Sequence, residues 1–196
     1  MKYPRILFLL TIPLLLATNA LADKAVLAGG CFWCMEADFE KLEGVTDVVS
    51  GFTGGTLENP TYNGNHQGHY EAVEITYDPK KVSYRQLLDY YWVHIDPFDD
   101  GGQFCDRGHS YLSAIFVANE TEREIAETSK REVAAMFPDR TVVTPILDAS
   151  TFYLIKGDES YHQDYYRKNP VRYEFYRWNC GRDQRLKEIW GEKAMH

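Results

Sequence analysis

Four cysteines, Cys31, Cys34, Cys105 and Cys180, carry the reactive sulfur of this 196-residue chain. Cys31 and Cys34 stand in Gly-Gly-Cys-Phe-Trp-Cys-Met, where a short apolar segment runs into a helical pattern. Such a pair can exchange disulfides, hold half a zinc site, form a structural bridge, or set one working nucleophile beside a bystander. Cys31 falls at the predicted helix start, where free N–H groups and the positive end of the dipole favour a thiolate. Such surroundings bring a thiol pKa from about 8.5 down to roughly 3.5–7.5. Cys34 lies one turn further in, where that field has faded. Gly29 and Gly30 allow a tight turn that leaves the sulfur approachable. Phe32 and Trp33 set two large aromatic surfaces beside it, able to cradle a small apolar group such as a methyl; the alternative for each is plain core packing. A dithiol exchanger using Cys31 and Cys34 is the rival enzyme reading, marked by insulin-type disulfide reduction. A zinc-stabilised or disulfide-bridged binding module is the non-enzyme one. No second close pair of ligands accompanies the first, so no metal is expected.

The elements that must position these residues follow from periodicity. Lys24 to Gly30 reads as a short buried strand. A helix is predicted over Cys31 to Glu43, with Phe32, Met35, Phe39 and Leu42 on one face and Gly44 as its stop. Val45 to Phe52 reads as a strand, and Thr53 to Gly68 as a long loop. Tyr70 to Tyr77 alternates as a half-buried strand closed by Asp78-Pro79. Ser83-x-x-Gln86 is a capping box opening a helix through Ile95. Asp96 to Ser110 is a second long loop, followed by a strand over Tyr111 to Ala118. Thr121-x-x-Glu124 caps a helix to Met136; a strand over Thr141 to Leu147 and a helix over Asp158 to Lys168 follow. The order β-α-β-β-α-β, with later additions, predicts an α+β sandwich of the ferredoxin-like, split-βαβ kind, its sheet antiparallel or mixed and covered by helices. Long loops in so compact a domain are usually functional. Here they hold Tyr62, His66, His69, Asp106, Cys105 and Cys180.

The first 22 residues read differently. Lys2 and Arg5 precede the apolar run Ile6 to Ala17, and Ala20-Leu21-Ala22 is a small-x-small cleavage pattern ahead of Asp23-Lys24. A secretory leader over residues 1–22 is expected, with one catalytic domain over 23–196 and an extracytoplasmic, periplasmic location. A retained anchor is the alternative, but the apolar run is short, while a spanning helix needs about 20 residues. The formal net charge is -8 and becomes -10 without Lys2 and Arg5. An acidic domain without Lys/Arg clusters does not suit nucleic acid or an anionic membrane surface, so small molecules or proteins are the expected partners and a monomer the expected state. Disulfides persist outside the cytoplasm. A domain of this size needs no staples to fold, and its cysteines therefore invite a chemical explanation.

Six stretches occur in order: GGCFWCMEADFEKLEGV, GFTGGTLENPTY, GHYEAVEITYDP, DPFDDGGQFCDRGHSYLSAIF, YHQDYYRKNP and CGRD. Together they resemble peptide methionine sulfoxide reductase A from about Lys24 to Trp190. The resemblance implies a ferredoxin-like core and reduction of the S-epimer of methionine sulfoxide, free or in proteins, with no bound cofactor. It implies that Cys31 is the nucleophile and leaves as a sulfenic acid, that Phe32 and Trp33 receive the methyl group, and that Glu71 donates a proton to oxygen. Tyr62 and Tyr111 match the two tyrosines that bond the sulfoxide oxygen, and Asp106 a carboxylate that holds the polar pocket. Cys180 matches the resolving thiol, Cys34 and Cys105 being alternatives; Cys105 could also relay the oxidation or pair with Cys180. A thioredoxin-type reductant would restore the thiols. Two features depart from the family pattern: the loop Asn63 to Gly68 is short, and Cys180 lies further beyond Asn169-Pro170 than in members with a glycine-rich tail.

Overall fold

The computed structural model describes residues 22–195; the predicted leader, residues 1–22, lies outside them except for its last residue. Four strands form the centre of the sheet: β1 (Asp23–Gly29), β2 (Val45–Thr53), β3 (Tyr70–Tyr77) and a later strand, Ser113–Val117. Two helices join them: α1 (Phe32–Phe39) between β1 and β2, and α2 (Tyr84–Trp92) after β3. Two short strands, β4 (Gly102–Gln103) and β5 (Asp106–Arg107), pair in the loop before Ser113–Val117, which is therefore β6. Then come α3 (Glu120–Met136), β7 (Ile146–Asp148), β8 (Tyr153–Leu154), α4 (Tyr165–Lys168), α5 (Pro170–Asn179) and α6 (Arg182–Trp190). The sheet runs β7-β6-β1-β3-β2-β8. Its central four strands are antiparallel throughout, and β7 joins β6 in parallel, so the sheet is mixed. This is the ferredoxin-like arrangement that the order of elements predicts.

The core lies where α1 and α2 cover the sheet. Phe32, Met35 and Phe39 are buried along one stripe of α1, and Leu87, Leu88 and Tyr91 along α2, against Leu27, Val73 and Ile75 of the strands. Each such side chain contributes about 1.5–3 kcal/mol by leaving water. The Tyr91 hydroxyl donates to the Ala28 carbonyl at 2.7 Å and fixes α2 to β1.

Several boundaries differ from the periodicity. α1 stops at Phe39, and Glu40 to Leu42 form turns that reach Gly44. The Ser83–Gln86 capping box is present. The cap of α3 is Asn119, which accepts from the Glu122 amide at 3.0 Å, so the helix starts before Thr121. Tyr111 belongs to a 3-10 turn, His109–Tyr111, and β6 begins at Ser113. The strand expected over Thr141 to Leu147 shrinks to Ile146–Asp148. The helix expected over Asp158 to Lys168 is broken in two, because Asp164 takes a left-handed conformation (φ 53°) between a 3-10 segment, Gly157–His162, and α4.

Candidate active site

The carboxyl end of β1 and the starts of β3 and β6 lie at the same end of the antiparallel sheet, and both long loops open there. Gly29 and Gly30 carry the chain from β1 into α1. Gly30 has φ +82°, and a Cβ on it would stand 2.6 Å from Cβ of Gln103; one on Gly29 would meet the Met35 sulfur at 2.5 Å. Only glycine fits either position. The turn delivers Cys31 as the residue that caps α1, its carbonyl accepting from the amides of Cys34 and Met35.

Cys31 is buried at the head of α1, and burial opposes there the thiolate that the helix start favours. The amide of Phe32, at the head of α1, donates to the Glu71 carboxylate at 3.2 Å. Glu71 enters from β3, where it pairs in register with Phe52. It is 1 % exposed, and burial pushes its carboxyl up to about 8, against the Phe32 amide and the Tyr111 hydroxyl, which favour the anion. Burial likewise pushes the Cys31 thiol well up, with contributions from Cys34 and Glu71. Burial thus favours the neutral form of both the Cys31 thiol and the Glu71 carboxyl.

Cys34 is also buried, in the same cluster as Cys31. Cys31 beside it lowers its thiol to about 7 in spite of burial, helped by Arg182 and Arg177. Both arginines come from the carboxyl-terminal helices. Arg177 holds Asp38 with Nη1 at 2.9 and 3.0 Å from the two carboxylate oxygens. Arg182, 2 % exposed, donates to the Gly29 and His94 carbonyls at 3.3 and 2.8 Å.

The remaining predicted residues converge on the same place. Tyr62 and Tyr111 are half-buried; the phenol of Tyr62 is raised to about 12, and that of Tyr111 is raised too, by burial first and then by Glu71. The Tyr62 ring stands 6.0 Å from that of Phe32. The Tyr62 and Asn63 amides both donate to Glu159 at 2.8 Å, which anchors the short loop from the far side. Asp106 accepts from the Tyr176 hydroxyl, and burial raises its carboxyl. Phe32 is fully buried and belongs to the core as much as to the site. Trp33 is half-buried: it stacks on Tyr165 at 3.8 Å and donates Nε1–H to Nδ1 of His162 at 3.0 Å. His66 stacks on Phe52 at 4.9 Å, and His69 holds the loop by bonds to Leu57 and Gly55.

The last two cysteines are bonded to each other. Cys105 and Cys180 form a disulfide 75 residues apart in sequence, while Cys31 and Cys34 are free thiols. The bridge lies against the Asp106 carboxylate, its sulfurs 3.7 and 4.0 Å from the two oxygens. Cys105 is exposed and Cys31 is not.

Four residues of the site escaped the sequence reading: His162, Tyr165, Tyr176 and Arg182. His162 is 1 % exposed and burial lowers it to about 4, so it is neutral, and with Nδ1 accepting from Trp33 its proton sits on Nε2. Tyr173, Tyr176 and Cys180 recur at three and four residues, a helical stripe turned toward Cys31 and Cys34, and this spacing was visible in the sequence.

A buried thiol, a carboxyl acid, tyrosine hydroxyls and an aromatic wall can take an oxygen from sulfur: the thiol attacks, the acid protonates the oxygen, and the hydroxyls hold it. Comparison with known proteins agrees. A family model described as peptide methionine sulfoxide reductase matches residues 23–194. Peptide methionine sulfoxide reductase MsrA 2 of Caulobacter vibrioides is 54 % identical over 172 residues, covering 86 % of each chain. Methionine sulfoxide reductase A of Corynebacterium diphtheriae superposes with TM-score 0.65 at 31 % identity, over 79 % of this chain and 78 % of that one. Mxr1 of Saccharomyces cerevisiae, solved in complex with Trx2, shares the fold with TM-score 0.52 at 20 % identity, over 67 % of this chain and 79 % of that one. The chain belongs to the peptide methionine sulfoxide reductase family, oxidoreductases that return methionine sulfoxide to methionine.

Proposed function

We propose that this enzyme reduces the S-epimer of methionine sulfoxide, free and in proteins, through Cys31 and a thiol cascade that ends at the Cys105–Cys180 bridge. The carrying observation is the buried Glu71 carboxyl, which accepts from the amide of Phe32 next to Cys31 and which burial pushes up to about 8. Cys31, as thiolate, attacks the sulfoxide sulfur while Glu71 protonates its oxygen, and Tyr62 and Tyr111 hold that oxygen by hydrogen bonds. Trp33, with Phe32 behind it, receives the methyl. The protonated oxygen passes to the Cys31 sulfur as the substrate S–O bond and the transient S–S bond break, so that methionine leaves and Cys31 is left as a sulfenic acid.

Cys180, as thiolate, then attacks the sulfur of the Cys31 sulfenic acid and displaces hydroxide, which takes up a proton to leave as water. Cys105 attacks Cys180 in turn, which frees Cys31 and leaves the Cys105–Cys180 disulfide. A thioredoxin-type dithiol reduces that bridge from its exposed end; the yeast neighbour solved with Trx2 supports such a partner. The placing of Cys31 and Cys34 in one buried cluster favours a second reading, in which Cys34 resolves the sulfenic acid first. The basic, apolar and small-residue pattern of residues 1–22 supports export and work outside the cytoplasm.

Peptide mapping after one turnover of fully reduced protein, without reductant, tests the cascade. Wild type should give Cys105–Cys180, and Cys105→Ser should trap Cys31–Cys180. Cys31–Cys34 in both would replace the first reading by the second. Turnover of the R-epimer at the rate of the S-epimer would remove the stereochemical assignment.

A further inference from the structure

The bridge between Cys105 and Cys180 has a third member. Cys105 stands in the two-residue turn of the β4–β5 hairpin, where Gln103 pairs with Asp106, and Cys180 caps the end of α5. Oδ1 of Asp106 lies 3.7 Å from the Cys105 sulfur, and Oδ2 lies 4.0 Å from that of Cys180. One ligand atom from each of the three residues falls within 4.8 Å of the other two. Oδ2 also accepts from the Tyr176 hydroxyl, which fixes the orientation of the carboxylate. Among the described residues no lysine or arginine pairs with Asp106; Arg107, next along β5, is taken by Asp99. The sequence offers no second close pair of ligands beside Cys31 and Cys34, and the fold makes one from residues 75 apart.

We propose that reduction of this bridge creates a site for a thiophilic divalent cation of the zinc class, with the Cys105 and Cys180 thiolates and the Asp106 carboxylate as its ligands. Tetrahedral zinc, with bonds of about 2.3 Å to sulfur and about 2.0–2.2 Å to oxygen, has sulfur–oxygen edges of about 3.5 Å and a sulfur–sulfur edge of about 3.8 Å. The two sulfur–oxygen distances present, 3.7 and 4.0 Å, lie close to that edge. Once the bond between them is reduced, the sulfurs part by side-chain rotation on Cα atoms 4.9 Å apart. Each thiol gives up its proton as the cation binds, so three negative charges meet a dication. Cys105 is exposed, which leaves an entry path and a fourth position for water. Two sulfur ligands select a soft cation over magnesium or calcium, which take oxygen. A disulfide has no thiolate to offer, so the site opens and closes with the redox state of the bridge. A bound cation also keeps Cys180 from the Cys31 sulfenic acid; that consequence rests on the proposed thiol cascade, whereas the site rests on the bridge alone.

Zinc alone is the probe. The parent protein is reduced with a phosphine, freed of reductant, alkylated with iodoacetamide with and without zinc, and mapped by mass spectrometry. Zinc should slow alkylation of Cys105 and Cys180 about tenfold, since a metal-bound thiolate is a poor nucleophile. With Cys31→Ser and Cys34→Ser in place, reduced protein should retain one equivalent of zinc through desalting and oxidised protein none. Asp106→Asn should raise the zinc Kd about tenfold or more in competition with a chelating dye. Protection confined to Cys31 and Cys34, or equal retention by both redox forms, overturns the proposal. So does an unchanged Kd in Asp106→Asn, which would leave a bare dithiol. Should the serine variants fail to fold, protection mapping on the parent decides alone. S-sulfoxide turnover of the parent is measured alongside, with and without zinc: protection of Cys105 and Cys180 with turnover unchanged supports the site and refutes the cascade.

Discussion

Glu71 is asked to be buried and to give up a proton, and the first demand enables the second. Its carboxyl, pushed up to about 8, stays neutral at working pH, so it can donate where an exposed glutamate could not. Turnover should fall as pH rises through about 8, and a log-rate profile flat from pH 7 to 9 would contradict this assignment. Glu71→Gln should lower kcat by ~10²-fold or more, within the range that general acids supply. The same shift acts on stability. Between the usual carboxylate range and about 8 the folded chain holds a proton that the unfolded chain has lost, so stability falls as pH rises across that window. Glu71→Gln removes this dependence; its melting temperature at pH 8 should equal or exceed that of the parent while its activity is lost. Cys31→Ser should have no measurable turnover. Trp33→Ala removes the stacked wall and should raise KM for sulfoxide about tenfold, with a smaller effect on kcat.

At the scale of elements, the site depends on two connections that tolerate little change. The Gly29–Gly30 turn is one. Gly30→Ala combines a positive φ with a 2.6 Å approach to Gln103, and should cost about 1–3 kcal/mol in denaturant unfolding while displacing Cys31. The Cys105–Cys180 bridge is the other, since it fastens the β4–β5 loop to the end of α5. Its reduction, or Cys105→Ser, should lower stability by about 2–4 kcal/mol, the usual effect of closing a long loop. The reduced enzyme therefore melts earlier than the oxidised one, a difference that calorimetry with and without dithiothreitol reads directly. Legibility also varied by element. β1, α1, β3 and α2 were readable because burial imposes a clear period on them. α4 and β7 were not: a left-handed Asp164 interrupts one, and three residues are too few to show a period in the other. The sequence places Cys31 at the head of α1, where it stands; its burial, and the Glu71 carboxylate that takes the Phe32 amide from a strand 39 residues away, are long-range features that the local pattern does not carry.

Over the whole molecule, the amino-terminal half supplies Cys31 and Glu71, the proposed nucleophile and acid, and the carboxyl-terminal helices pack around them. Sequence motifs mark the first group by position, whereas Arg182 reaches the Gly29 and His94 carbonyls through long-range contacts that no local spacing announces. Arg182 lies 153 residues from Gly29 and donates to its carbonyl, so the end of the chain braces the turn that carries Cys31. Replacing Arg182 with Ala strips hydrogen bonds from two buried carbonyls and removes a cation beside Asp38. It should destabilise by about 3 kcal/mol or more, and should raise the Cys34 thiol, which an alkylation profile at that residue would show.

Trp33, stacked face to face on Tyr165 and two residues from Cys31, is also an optical probe that the enzyme carries already. Its emission will respond to the charge and oxidation state of Cys31, whereas Trp178, largely in solvent on the outer face of α5, adds a constant background. With Trp178→Phe in place, stopped-flow fluorescence should resolve sulfenic acid formation from its resolution, so that the order of the thiol steps becomes a matter of separate rate constants within one mixing experiment.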